Sequence, residues 1–256
     1  MSLKRRRVVV AGDTATRRTA PMYDSSPLWA AGDIAGLRQR LDRDGYLLLR
    51  NVLPATDVND ARRHIVECVL RPEGFLSPAA TVDRVQAADA SVSPGLLARP
   101  DVARSAPVQA VLEHAQLYRL MDGLLGQPCQ TVGYKWLRAV AHRQFTGVHT
   151  DRVYLGKGSQ RVLTAWIPIG HVSVEEGSMM VAAGSHRARR FAGLREGYGK
   201  TSVGADGVES GWLSRDGDAV AEQWGFTWLT ADFNPGDVCV IGLDVLHLSA
   251  SNQTDR

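Results

Sequence analysis

Cysteine is scarce in this chain: Cys68, Cys129 and Cys239 are widely spaced and form no CxxC pair. That spacing excludes a disulfide framework and a zinc knuckle, and leaves reduced thiols as the expectation. Long hydrophobic runs are missing too. Nothing approaches the ~20 apolar residues that cross a bilayer, so no transmembrane helix is expected. Neither sign of charge is in large excess: 30 Lys and Arg against 27 Asp and Glu leave +3. A pI of about 8.9 is too mild to argue for nucleic acid. With 44% hydrophobic and 22% charged residues, what remains is an ordinary globular composition. At 256 residues, a single large domain is the simplest organisation.

The N-terminus reads Lys4-Arg5-Arg6-Arg7 and then Val8-Val9-Val10-Ala11. The apolar stretch is too short for a signal peptide, and Gly12-Asp13 interrupts it. We expect residues 1–30 to be a flexible tail and 31–256 to be one domain. A cytoplasmic location is expected; the basic, acid-poor leader up to Arg18 leaves an organellar address as the alternative.

Helices come first. Asp33 is placed to cap a helix carrying Ile34, Leu37 and Leu41, ended by Asp44-Gly45. Tyr46 to Leu49 reads as a buried strand. After Pro54, Val58, Ala61, Ile65 and Val69 form one helical face. Residues 71–105 read as loops. Apolar positions from Val108 to Leu124 predict a helix or helix pair ending at Gly126. Strand-like segments follow: Thr131-Val132, Tyr134 to Val140, Val162 to Ile169, Met179 to Ala182 and Val238 to Leu243. Turn residues such as Glu176-Gly177 and Asn234-Pro235-Gly236-Asp237 separate them. The fold class is therefore α+β with a mainly β core of barrel or sandwich type. Residues 187–231 interrupt the strands, rich in glycine and carrying Trp212, Trp224 and Trp228. We expect this insert to act as a mobile lid.

Within the strand-rich half, His149-Thr150-Asp151 sets an imidazole and a carboxylate at i and i+2. On a strand these point to the same face. A second imidazole would complete a facial triad with three open positions, an arrangement that suits Fe(II) and O2. His247 is the candidate, because it follows a turn and an apolar run able to return beside the first strand. The triplet alone arises by chance on surface strands, so a structural pair remains open at this point. His64, His114, His142, His171 and His186 read as surface, turn or core residues.

The surrounding text adds more. Tyr134-Lys135-Trp136-Leu137-Arg138-Ala139-Val140 leads into Phe145-Thr146-Gly147-Val148-His149-Thr150-Asp151. Thr164-Ala165-Trp166-Ile167-Pro168-Ile169, Glu176-Gly177-Ser178-Met179 and Ala183-Gly184-Ser185-His186 follow in order. Pro235-Gly236-Asp237 and His247-Leu248-Ser249-Ala250-Ser251-Asn252 close the series, and Asp44-Gly45-Tyr46 opens it. This succession resembles the phytanoyl-CoA dioxygenase-like family from about residue 33 to 256.

The resemblance implies a double-stranded β-helix (jelly-roll or cupin-like barrel) with flanking N-terminal helices. It implies Fe(II) held by His149, Asp151 and His247. It also implies 2-oxoglutarate and O2 as co-substrates, with ascorbate as a possible reductant. The reaction implied is hydroxylation of a C–H bond in a small molecule, releasing succinate and CO2. Trp166 and Tyr134 resemble the family's co-substrate wall, although Trp166 could equally fill the barrel. The family anchors the far carboxylate of 2-oxoglutarate with an arginine after the distal histidine. Arg256 is the candidate, and in some members that arginine lies about two residues further on, where a final strand normally follows. A related subgroup replaces the carboxylate ligand with a small residue and halogenates; Asp151 favours hydroxylation.

Two other readings stand beside this one: a non-catalytic ligand-binding or regulatory barrel, and a nucleic-acid hydroxylase, which the modest pI disfavours. Arginines in the insert would suit an anionic substrate. The substrate and the oligomeric state are not legible.

Overall fold

Among the described residues, side-chain alternation sorts eight strands into two layers, and the helices cover the outside of each. The computed structural model describes residues 8–10, 16, 18–90, 92–204 and 210–256. In chain order the elements are β1 (Thr19–Pro21), α1 (Ser26–Ala30), α2 (Ile34–Asp44), β2 (Tyr46–Leu49) and α3 (Ala55–His64), which runs into a π-turn at Ile65–Leu70. Next come α4 (Pro100–Ala103), α5 (Ala106–Leu112), α6 (Ala115–Leu125), β3 (Thr146–His149), α7 (Arg152–Leu155), β4 (Leu163–Trp166) and β5 (Met179–Val181). The chain closes with α8 (Ala192–Glu196), α9 (Gly217–Trp224), β6 (Trp228–Thr230), β7 (Val238–Gly242) and β8 (His247–Ser249).

Local chemistry explains the helix ends. The Asp33 carboxylate accepts the Gly36 N–H at 2.8 Å, satisfying one orphan donor of α2. Gly45 stops that helix at φ 83°, a conformation that side chains rarely adopt. Gly126 ends α6 in the same way, at φ 73°.

The larger sheet has the order β1-β6-β5-β8-β3, and the smaller β2-β7-β4. Tyr46 and Leu48 of β2, Cys239 and Ile241 of β7, and Met179 and Val181 of β5 fill the space between the sheets, with Phe233. The alternate residues Leu47, Leu49, Val238 and Val240 face outward onto Leu37, Val58, Ala61, Val108 and Leu120 of the helices. Met180 and Leu248 face outward from the larger sheet onto Phe191, Leu194, Val220 and Ala221. Fully burying one such side chain is worth roughly 1.5–3 kcal/mol. These three layers hold the strands that carry the site.

Three expectations need correction. Residues 131–140 form no strand; Tyr134 and Trp136 are both 45% exposed. β-propensity reports fit to a half-buried pleated surface, and this segment has no ladder partner to supply one. Second, the expected tail is built into the domain from residue 18 onward. β1 pairs in parallel with β6, Val8 to Val10 are buried, and the Ser251 N–H donates to the Val9 carbonyl at 2.7 Å. The basic leader Lys4 to Arg7 lies outside the described residues. Third, the segment 187–231 is anchored in the core through its two flanks, 191–194 and 217–231. Phe191, Leu194, Val220, Ala221, Phe226 and Trp228 are all buried, and β6 is a central strand of the larger sheet. Stretches that supply a sheet strand and one face of a core cannot swing, so the segment does not move as one lid from 187 to 231. Residues 205–209 within it lie outside the described residues.

Candidate metal centre

β3 and β8 lie side by side in antiparallel register, with His149 directly opposite His247. Their ring centroids are 4.1 Å apart. Asp151 joins them by a route other than strand alternation. β3 ends at His149, and Asp151 takes helical angles (φ −67°, ψ −16°) as the residue that starts α7. A sharp strand-to-helix turn, not the pleat, brings the carboxylate back over the rings. Its Oδ1 sits 3.9 Å from His149 Nε2 and 3.7 Å from His247 Nε2. One donor atom from each of the three residues falls within 4.8 Å of the other two.

The remaining polar atoms of the triad are already engaged. His149 Nδ1 donates to the Gly147 carbonyl at 2.8 Å, and His247 Nδ1 to the Val245 carbonyl at 2.9 Å. A carbonyl only accepts, so each Nδ1 carries a proton and each Nε2 is left without a hydrogen-bond partner in the protein, the atom the ring turns to a metal. The Thr164 hydroxyl donates to Asp151 Oδ2, leaving Oδ1 free. Two nitrogens and one oxygen therefore converge on a common point, and that donor set fits a divalent iron with three further positions. The two histidines are buried, 6% and 5% exposed.

The frame around the triad is rigid. Arg152, next to Asp151, grips the Asp244 carboxylate through a two-pronged contact whose second N–O distance is 2.6 Å. Its backbone N–H reaches the Leu243 carbonyl at 3.0 Å. These contacts tie the turn carrying Asp151 to the loop before His247. Tyr154 sets its ring edge-on to His149 at 5.9 Å. Thr164 is the supporting residue that spacing did not reveal. The signal was available, since it stands two before Trp166 and shares its face of β4. Outer partners of this kind typically contribute 10–100-fold to metal affinity. Thr164→Val should weaken Fe(II) binding by that range while leaving the thermal midpoint of the metal-free protein nearly unchanged, as chelator competition would show.

Burial first, and then the facing His247, hold the His149 ring well below its ordinary value of 6.5. The sign follows. Below pH 6.5 the unfolded chain takes up a proton that the buried ring refuses, so this residue destabilises the fold as pH falls. Metal-free protein should therefore lose stability below that pH, and His149→Asn should lose less over the same range. Urea denaturation across pH 5–7 measures both.

The other sequence candidates are placed differently. Trp166 packs on Phe233 at 4.7 Å between the sheets, on the same face of β4 as Thr164. Tyr134 points away, stacking edge-on with Trp136 at 5.0 Å and donating to the Leu97 carbonyl. Arg256 is 41% exposed and pairs with Glu176 at 3.2 Å. Neither Tyr134 nor Arg256 makes a hydrogen bond, ion pair or ring contact with the triad among the described residues. Two of the insert arginines are committed: Arg187 to Asp42, and Arg195 to the Ser185 and Ala188 carbonyls.

Fold and donor set together define a double-stranded β-helix metalloenzyme. The family model "Phytanoyl-CoA dioxygenase (PhyH)" matches residues 41–256, and the chain belongs to that family of iron- and 2-oxoglutarate-dependent oxygenases. Solved structures share the architecture. The epimerase SnoN, in complex with Fe3+, alpha ketoglutarate and nogalamycin RO, superposes with a TM-score of 0.53 at 19% identity, over 88% of this chain and 80% of its own. The alpha ketoglutarate dependent carbocyclase SnoK from nogalamycin biosynthesis gives 0.51 at 21%, over 86% and 78%. EctD from S. alaskensis gives 0.50 at 19%, over 97% and 77%. Among the described residues, no helix is long and apolar enough to cross a membrane.

Proposed function

We propose that this chain is an Fe(II)- and 2-oxoglutarate-dependent dioxygenase that hydroxylates a C–H bond of a small molecule. The observation that carries the reading is the convergence of His149 Nε2, His247 Nε2 and Asp151 Oδ1, with every other polar atom of the triad already bonded. The bound iron would supply O2 activation coupled to oxidative decarboxylation of 2-oxoglutarate. The protein's part is geometric. His149 and His247 present Nε2 from rings oriented by their Nδ1 hydrogen bonds, Asp151 supplies the carboxylate, and Thr164 and the Arg152–Asp244 fork hold it in place. Trp166 and Phe233 put apolar rings on the same face of the sheet as Thr164, the partner of Asp151.

Asp151 decides between two outcomes for the substrate. Its carboxylate fills the position that a halide would need, so oxygen transfer is favoured over halogenation. Incubation with Fe(II), 2-oxoglutarate, O2 and a panel of small molecules should release succinate and CO2. In excess chloride the product should gain oxygen and no chlorine; a chlorinated product would overturn the hydroxylase reading. The alternative, a non-catalytic barrel, is favoured if the iron-loaded protein forms no succinate with any member of the panel.

A further inference from the structure

The peptide between His149 and Asp151 belongs to neither a strand nor a helix. β3 ends at His149, and α7 begins at Arg152. Thr150 is 2% exposed, so its N–H needs a partner inside the protein. It donates to the Tyr198 hydroxyl at 3.3 Å. That hydroxyl in turn donates to the Gly211 carbonyl. A phenol both accepts and donates, so the half-buried Tyr198 joins the metal-bearing turn to two parts of the insert at once.

Neighbouring residues of the insert brace the same turn on either side. The Leu213 N–H donates to the Val148 carbonyl at 2.7 Å, and the Val148 N–H to the Ser214 carbonyl at 2.8 Å. β3 ends the larger sheet, so this pair adds a bridge along its outer edge. Trp212 lies on Gly147, where a Cβ would come within 2.5 Å of the ring. Beyond the ligands, the Val203 N–H donates to the Val153 carbonyl at 3.0 Å. These contacts hold the chain before His149 and after Asp151. The Tyr198 contact lands between them.

Rotation of that peptide sets how the Asp151 carboxylate stands to the His149 ring, whose Nε2 is 3.9 Å from Oδ1. Strand angles give way to helical ones there, so no ladder enforces the setting. We propose that Tyr198 is a positioning residue for the metal: its hydroxyl fixes the Thr150 peptide, and with it the relation of His149 to Asp151. The inference rests on the metal reading above. It gives residues 198–204 and 210–214 the task of bracing the turn.

Anaerobic chelator competition measures Fe(II) affinity, and the visible ligand-field bands of the Co(II)-loaded protein report ligand geometry. Tyr198→Phe removes the hydroxyl and keeps the ring. It should bind Fe(II) roughly tenfold more weakly, the upper scale of one neutral hydrogen bond, and shift the Co(II) bands. The thermal midpoint of the metal-free variant should fall by no more than about 4 °C. Trp224→Ala is the comparison, because its ring stacks on Phe191 at 5.9 Å and makes no contact of the Tyr198 kind. It should lower the midpoint at least as far and leave Fe(II) affinity and the Co(II) bands as in wild type. Wild-type affinity or wild-type bands in Tyr198→Phe would overturn the inference and leave the triad standing. Equal losses in Trp224→Ala would also overturn it, since any loosening of the insert would then suffice. Wild type that holds no Fe(II) would overturn both.

Discussion

His247→Ala should leave a folded protein that no longer holds iron. Wild type should bind one Fe(II) per chain, and the variant should fall below about a tenth of that at micromolar metal. The reasoning is quantitative. Losing an outer partner of a ligand typically costs 10–100-fold in affinity, and losing the ligand itself removes both that contribution and a coordinate bond. Two donors, His149 Nε2 and Asp151 Oδ1, remain 3.9 Å apart, too few to complete a facial site. The fold should survive, because the ring's hydrogen bond runs to the Val245 carbonyl two residues away in its own strand region and not across the core. Succinate formation should drop at least a thousandfold relative to wild type, some 4 kcal/mol in the barrier. His149→Ala should behave alike. Metal analysis after desalting, alongside circular dichroism, measures both parts. Equal iron in wild type and both variants would remove the triad from consideration.

Trp228→Ala should destabilise the protein by about 3–5 kcal/mol, the cost of emptying a large buried aromatic site. The indole is fully buried on the outer face of the larger sheet. Phe226 packs edge-on against it at 4.7 Å, and its Nε1 donates to the Gly217 carbonyl at 3.0 Å. Truncation would leave a cavity and strand that carbonyl. For a chain of this size the thermal midpoint should fall by roughly 8–15 °C. A tryptophan on a mobile lid would show almost no such effect. Trp212→Ala and Trp224→Ala, at half-buried positions, should cost less. Differential scanning calorimetry of the three variants ranks them.

Much of the site was legible because its residues combine two independent signals. His149 and Asp151 carry ligand chemistry at short spacing, and His247 follows a turn and an apolar run that bring it back to the same sheet. The spacing argument expected strand alternation to bring Asp151 beside His149, whereas Asp151 sits on a helical turn. The helices at 34–44 and 106–125 were readable from their apolar periodicity and from Asp33, Gly45 and Gly126 at their ends. Arg256 and Tyr134 were chosen for distance along the chain, and a count of residues says nothing of where a side chain points. Glu176 captures one and Leu97 the other.

What stayed hidden depends on long-range pairing. The segment 131–140 has strand composition and no partner. The segment 228–230 sits in glycine-rich text and yet pairs with both β1 and β5. Thr164 acquires meaning only once β4 is placed beside the triad. A threonine carries no mark in sequence of what it will face.

The central claim is that three side chains at 149, 151 and 247 hold an iron that couples O2 to the decarboxylation of 2-oxoglutarate. The most direct test is the isotopic content of succinate formed under oxygen-18 gas by the Fe(II)-loaded wild type. The account predicts succinate carrying one oxygen-18 atom, formed only when Fe(II) is present and absent in His247→Ala. Unlabelled succinate, or equal succinate with and without the triad, would contradict it.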